Sequence, residues 1–207
     1  MLIKIETIEK YKGRTMKLTL SEGEPVFMNA DIAARYGLKG GVSVPEAAWA
    51  EILHADIFRR ARERAMYLLD YRDYSYADLV KKLMNNYDED ICFEVADKLA
   101  EQGFLNDRRY AETLAARLCE TKLLGAYRAL PYMSEKGIPA SIIRQALEPY
   151  EENAAERAAE LAKKKYMKYF DPEDRALMQK LKNALARNGY SYSEIKTAIE
   201  LLKEEYE

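Results

Sequence analysis

Acid–base, nucleophilic and metal chemistry each need particular side chains at short spacing, and this sequence is thin in them. His54 is the only histidine. A Ser-His-Asp arrangement would have to use it, and no Gly-x-Ser-x-Gly elbow is present. A zinc site would fall to Cys92, Cys119 and carboxylates that have no short ligand spacing. Both cysteines lie inside helical patterns, so buried free thiols are expected rather than a disulfide framework. Gly40-Gly41 is an isolated pair in a turn, not a phosphate loop. With 35 acidic residues in the chain, carboxylates pair everywhere, and pairing alone points to no hydrolase. His54 reads as a plain helix residue, and neither a metal nor a cofactor is expected.

The groups that do cluster are cationic. Arg59, Arg60, Arg62 and Arg64 fall within two helical turns, and Lys163, Lys164 and Lys165 form a second run with Lys168. Arg108 and Arg109 form a third. Together with Arg72 these are the candidate partner-binding residues, suited to phosphates or to a partner's acids. The plainer reading of each run is a solvated helix face, since Glu63 interrupts the first and Glu160 precedes the second. Formal net charge is −2, from 33 basic and 35 acidic residues, which excludes a uniformly basic nucleic-acid coat and leaves room for a local strip. The 16 tyrosines could stack on bases or anchor an interface. The clusters Tyr67, Tyr71, Tyr74, Tyr76 and Tyr166, Tyr169 are read mainly as core residues with a wet hydroxyl.

The elements that must position these side chains follow from pattern. A length of 207 residues is one large domain or several small ones, and 48% hydrophobic residues can build a packed core. No apolar run approaches the roughly 18 residues of a membrane helix. The N-terminus lacks the features of a secretory signal, so a cytoplasmic protein is expected. Residues 14–20 alternate apolar and polar with period 2, residues 2–9 are rich in isoleucine, and residues 25–29 follow a turn at 21–24. This predicts a small antiparallel β meander that must pack on something else. A short helix over 31–36 is stopped by Gly37, and Pro45 is expected at the first position of the next helix.

From there onward nearly everything reads as helix. Asp171-Pro172-Glu173-Asp174 carries a helix-start signature. Ser75-x-x-Asp78 and Ser191-x-x-Glu194 have capping-box spacing. Pro131 should kink its helix or mark its first turn. A helix end, a tight turn, an apolar residue and a new helix start recur at 83–88, 133–139 and 185–191, each followed by a second apolar stripe and preceded by a helix, at 57–70, 107–120 and 153–169. The body therefore reads as a tandem array of three three-helix repeats, 51–106, 107–153 and 154–207, after an N-terminal region 1–50. The expected fold is mainly α, an elongated curved body whose long face suits an extended partner. Three unrelated bundles with shared helix-stop chemistry are the plainer alternative. Segment net charges are +1, −4, 0 and +1 in chain order, so no repeat is basic overall.

The residues also carry a resemblance. Ala65-Met66-Tyr67-Leu68-Leu69, then Tyr71-Arg72, Ser75, Leu79 and Leu83, are similar to the first-repeat signature of the RecX family, regulators of RecA recombinase. The run Gly103-Phe104-Leu105-Asn106-Asp107-Arg108-Arg109-Tyr110-Ala111 resembles its most recognisable stretch. Gly125, Leu130 and Lys136-Gly137-Ile138 resemble the second repeat, and Lys163-Lys164 with Arg187-Asn188-Gly189-Tyr190 the third. The N-terminal meander resembles longer Gram-positive members. Asn106 stands where the family usually has aspartate, and Asn86-Tyr87 lacks the glycine of the other two turns. The resemblance implies an all-helical array that binds RecA along the groove of its DNA filament and mostly inhibits its recombinase, ATPase and co-protease activities. It implies no enzymatic activity and no cofactor. Single-stranded DNA would be met through RecA or weakly by direct contact, no membrane is involved, and a monomer is expected. The competing reading is a DNA-binding helical repeat protein acting independently of RecA. A carboxylate-pair hydrolase is the third.

Overall fold

The computed structural model describes residues 1–206. Four strands come first: β1 (Leu2–Lys12), β2 (Thr15–Leu20), β3 (Val26–Asn29) and β4 (Ser43–Pro45). They form one antiparallel sheet in the order β3-β2-β1-β4. The sequence predicts the first three; β4 is too short to show a period. Pro45 closes β4, opposite Leu2, and the following helix begins at Glu46, so the proline stands one residue before the position expected of it. The strand pairing slips between Ile5 and Thr7, which lets Ile3 and Ile5 face the same side as Ile8 and Lys10. Ile5, Leu18 and Met28 form the bottom of a core completed by α1 (Ala30–Arg35) and by Trp49 and Ile52 of α2 (Glu46–Tyr71). The meander thus buries its apolar face on a helix, as a small sheet must.

Helix α2 is one continuous element of 26 residues that runs through residue 50, where the sequence divides region from repeat. Its Asp56 is 2% exposed. The carboxylate accepts the Asn29 backbone N–H at 2.9 Å and pairs with Arg60 Nε at 3.0 Å and Arg59 Nε at 3.8 Å. It thereby fixes α2 to the β3–α1 corner.

The remaining helices are α3 (Tyr76–Leu83), α4 (Glu89–Glu101), α5 (Asp107–Ala116), α6 (Ala126–Glu135), α7 (Ala140–Leu147), α8 (Ala154–Leu161), α9 (Arg175–Arg187) and α10 (Tyr192–Tyr206). Taken with α2 they are three successive triplets. The first helix of the second and third triplets ends in a π turn, Arg117–Thr121 after α5 and Ala162–Tyr166 after α8. The second triplet encloses Leu114, Leu118, Met133 and Ile143; the third encloses Leu161, Leu181, Leu185 and Leu202. Pro131 lies in the second turn of α6, where its missing N–H removes one ladder bond. Pro172 does not start α9. It sits in a turn, and Asp174 caps the helix by accepting from Ala176 N and Leu177 N. Ser191 and Glu194 complete a reciprocal capping box at α10.

The chain divides into two compact units, Met1–Arg72 with Val80–Lys98, and Asp73–Leu79 with everything from Leu99 onward. Within the second unit, successive triplets meet through backbone. The turn after α9 lies against the start of α6: Gly125 N–H donates to Asn188 O at 2.9 Å and Tyr127 N–H to Gly189 O at 3.1 Å. A Cβ on Gly125 would sit 2.2 Å from Gly189 O, and one on Gly189 would sit 2.5 Å from Arg128 N. The turn after α6 meets the start of α3 through side chains instead. Ser75 Oγ donates to Lys136 O, and a Cβ on Gly137 would already be 2.7 Å from the Ala77 Cβ.

Two stability outcomes follow. Gly189 and Gly103 both have positive φ, 94° and 75°, but nothing lies near a Cβ on Gly103. In urea unfolding, Gly103→Ala should lose about 1–2 kcal/mol, the cost of a left-handed alanine. Gly189→Ala should lose clearly more; equal losses would show that the backbone contact carries no energy. Asp56→Ala should lose about 2 kcal/mol, because it strands a buried N–H and two arginines that remain partly hydrated. A loss under about 0.5 kcal/mol would mean that the pair is only a surface bridge.

Candidate functional site

The structure scatters the α2 arginines instead of gathering them. Arg59 and Arg62 line a groove of about 350 Å³ with Arg35, Tyr36 and His54, whereas Arg60 and Arg64 lie on other aspects of the helix. Arg59 is further tied to Glu63, and Arg64 lies 5.3 Å from the centre of the Tyr67 ring. His54, a helix residue as expected, bonds Glu94 at 2.9 Å. Arg72 follows the end of α2 and is exposed.

Arg108 and Arg109 occupy the first turn of α5, exposed and with no ion pair among the described residues. Cations at the positive end of a helix cost stability rather than adding it. Their neighbours are structural. Leu105 is buried, Asn106 caps α5 by accepting from Arg109 N, and Asp107 accepts the Tyr76 N–H at the start of α3 at 2.7 Å. The stretch 103–111 therefore builds a junction and displays two arginines. The role of Asp107 was not legible from the sequence, since its partner lies 31 residues away.

Of the third run, Lys163 pairs with Glu205 and Lys164 with Glu160. Lys165, on the π turn, instead lines a groove of about 410 Å³ with Lys122, Arg128, Tyr132 and Asn188. The sequence reading missed Lys122 and Arg128, because neither belongs to a run. Below this groove the second and third triplets lock together. Leu123 takes φ 53°, buries its side chain in the third core and accepts the Tyr190 hydroxyl at 2.9 Å. Arg157 donates to Tyr150 O and lies over the Tyr150 ring, whose hydroxyl donates to Glu120 at 3.0 Å.

Both cysteines are free and buried, and burial pushes both thiols up, so they stay protonated and unreactive. The tyrosines divide. Tyr74 is a core residue as expected, but Tyr67 and Tyr71 are exposed, the latter by 83%. They close the solvent side of α2, where apolar ring edges need no partner. Among the described residues no three His, Cys, Asp or Glu side chains could hold a metal ion, and no helix is long and apolar enough to cross a membrane.

Comparison with known proteins fits this architecture. Residues 106–147 match the family model for the second three-helix domain of RecX and residues 151–199 that for the third. A regulatory protein RecX of Streptococcus sanguinis is 30% identical over 97% of this chain and 78% of its own length. The chain belongs to the RecX family. A RecX of Clostridioides difficile is 26% identical over 96% of this chain and 95% of its own length. A crystal structure titled regulatory protein RecX superposes with a TM-score of 0.73 at 27% identity, covering 95% of this chain and 98% of that one. The RecX of Lactobacillus salivarius gives 0.66 at 29% identity, covering 72% and 98%. These relatives are named regulatory proteins, and the repeated three-helix architecture read from the sequence is the family's own.

The buried hydroxyl at the junction sets a pH response. Burial is the main cause that pushes the Tyr190 phenol well above its usual value of about 10. Below pH 10 folded and unfolded chains both hold the proton, so pH has no effect through this group. Above it the unfolded chain ionises while the folded one does not, and stability falls as pH rises. Tyr190→Phe should flatten that fall when urea midpoints at pH 8 and pH 10.5 are compared. An unchanged alkaline slope would place its origin elsewhere.

Proposed function

We propose that this protein binds RecA and the groove of its DNA filament and dampens the recombinase, ATPase and co-protease activities of RecA. The supporting observation is likeness over nearly the whole chain to proteins named regulatory protein RecX. In this reading the protein is not an enzyme, works without a cofactor as a cytoplasmic monomer, and is organised as an N-terminal region 1–50 followed by repeats 51–106, 107–153 and 154–207. It meets single-stranded DNA through the filament or weakly by direct contact. The partner-facing residues are Arg59, Arg60, Arg62, Arg64, Arg72, Arg108, Arg109, Lys163, Lys164 and Lys165. Among them Arg108 and Arg109 carry the most weight, because they stand exposed and unpaired where the helix dipole disfavours them. Such contacts should weaken as salt rises.

Substoichiometric protein should lower the ATPase rate of RecA on single-stranded DNA. A normal rate at several-fold excess would reject the reading. Arg108→Ala with Arg109→Ala should raise the concentration needed for half-inhibition about tenfold. Lys163→Ala with Lys164→Ala should change it less than threefold, since those lysines already answer Glu205 and Glu160. The reverse order would move the contact to the third repeat.

A further inference from the structure

We infer that Asn188 is a modification site. It deamidates spontaneously when the junction between the second and third triplets opens, and the product cannot re-form that junction. The inference goes beyond the RecA-directed reading and needs no RecA.

The chemistry is set by two neighbours in the sequence. Of the seven asparagines, Asn188 is the one followed by glycine. Asparagine is among the thermolabile residues, and glycine has no Cβ to keep its main-chain nitrogen away from the preceding side chain. The Gly189 nitrogen gives up its proton to hydroxide and forms a bond to Asn188 Cγ. The Cγ–Nδ2 bond breaks, ammonia leaves with a proton taken from water, and a five-membered succinimide ring is closed. Water then opens the ring. Attack at Cγ leaves aspartate; attack at the Asn188 main-chain carbonyl leaves isoaspartate, whose chain runs on through the side chain. One water enters, one ammonia leaves, and nothing is oxidised or reduced.

The fold explains why this labile pair is present. Gly189 holds φ 94° against the start of α6, where a Cβ would lie 2.5 Å from Arg128 N. Asn188 closes α9. Its Nδ2 donates to Ala184 O at 2.7 Å and to the Tyr166 hydroxyl at 3.1 Å, and its carbonyl accepts the Gly125 N–H at 2.9 Å. Ala184 O is one of the carbonyls that a helix end leaves unpaired. The joint thus uses an amide at 188 and a hydrogen in place of a side chain at 189. None of the other positive-φ glycines among the described residues follows an asparagine.

The same contacts stall the reaction while the junction is closed. Asn188 sits at φ −87°, ψ 4°, so the Gly189 N–H points back along α9 and donates to Ala186 O at 2.9 Å. The two bonds from Nδ2 pin the side-chain amide. Opening the junction releases both reacting groups. Lys122, Arg128 and Lys165 line one groove with Asn188, and their charge favours the anion that develops on the attacking nitrogen and the amide oxygen. The products do not fit back. An aspartate oxygen in place of Nδ2 would face Ala184 O with no hydrogen between them. Isoaspartate adds a carbon to the main chain at a contact with no room for a methyl group. Each opening therefore carries a chance of a one-way loss of the joint.

The test follows the full chain alone, so its failure is separate from failure of the RecA reading. Protein held at pH 7.4 and 37 °C is sampled over weeks and mapped by peptide mass spectrometry, which counts aspartate and isoaspartate at 188. Conversion should be at least about tenfold slower in the folded protein than in urea, as expected of a joint open less than a tenth of the time. In urea, 188 should outpace Asn183, which precedes alanine. Gly125→Ala, which forces the junction apart, should speed conversion in buffer about tenfold or more. A second measurement needs no variant. Hydrogen exchange of the Gly125 N–H, bonded to Asn188 O, should quicken in sub-denaturing urea in step with conversion. Aged protein enriched in isoaspartate should lose protection at Gly125. The proposal is overturned by equal rates folded and in urea, by equal rates at 188 and Asn183 in urea, by an unchanged rate in Gly125→Ala, by exchange that does not track conversion, or by aged protein that keeps full protection at Gly125.

Discussion

The helical part of the second unit depends on one kind of contact: a left-handed glycine turn laid directly on the first backbone turn of an earlier helix. At Gly189 on Gly125 the approach leaves no room for a methyl group on either side. At Gly137 on Ala77 the neighbour is a methyl that already fills the space. The first contact also satisfies two N–H groups at a helix start, Gly125 and Tyr127; at the second the Ser75 hydroxyl donates to Lys136 O, while the Tyr76 N–H is taken by Asp107. The second and third triplets each bury their own leucines, but main chain sets the spacing between them.

This arrangement explains which family-like residues are structural and which are available for a partner. Asn106 and Asp107 hold helix starts, Leu105 is core, and Gly189 and Tyr190 close a junction. Arg108 and Arg109, between the same structural residues, stand outward, as does Phe104. A motif recognised as one string is thus two layers, one building the joint and one standing on it.

The repeated helices and the first three strands were legible because they depend on local periodicity and on punctuation by glycine and proline. Gly37, Gly137 and Gly189 end their helices as expected and with positive φ. Strand β4 escaped because three residues carry no period, and Pro172 misled because a cap, a proline and two acids also fit a turn that precedes the true cap, Asp174. The basic runs were legible as composition but not as surface. Buried Asp56 pairs with two of the α2 arginines, and the inter-repeat groove collects Lys122 and Arg128 from one stretch of the chain and Lys165 from another. Pairings across tens of residues leave no mark on a single string of letters.

The near-touch of Gly125 and Gly189 gives the third triplet a fulcrum. Helix α10 begins three residues beyond Gly189 and spans 15 residues, a lever of about 22 Å. A tilt of about 10° at that pivot would swing its far end by about 4 Å, roughly the diameter of a methyl group. One hydrogen atom in place of a side chain therefore sets the aim of the whole terminal bundle.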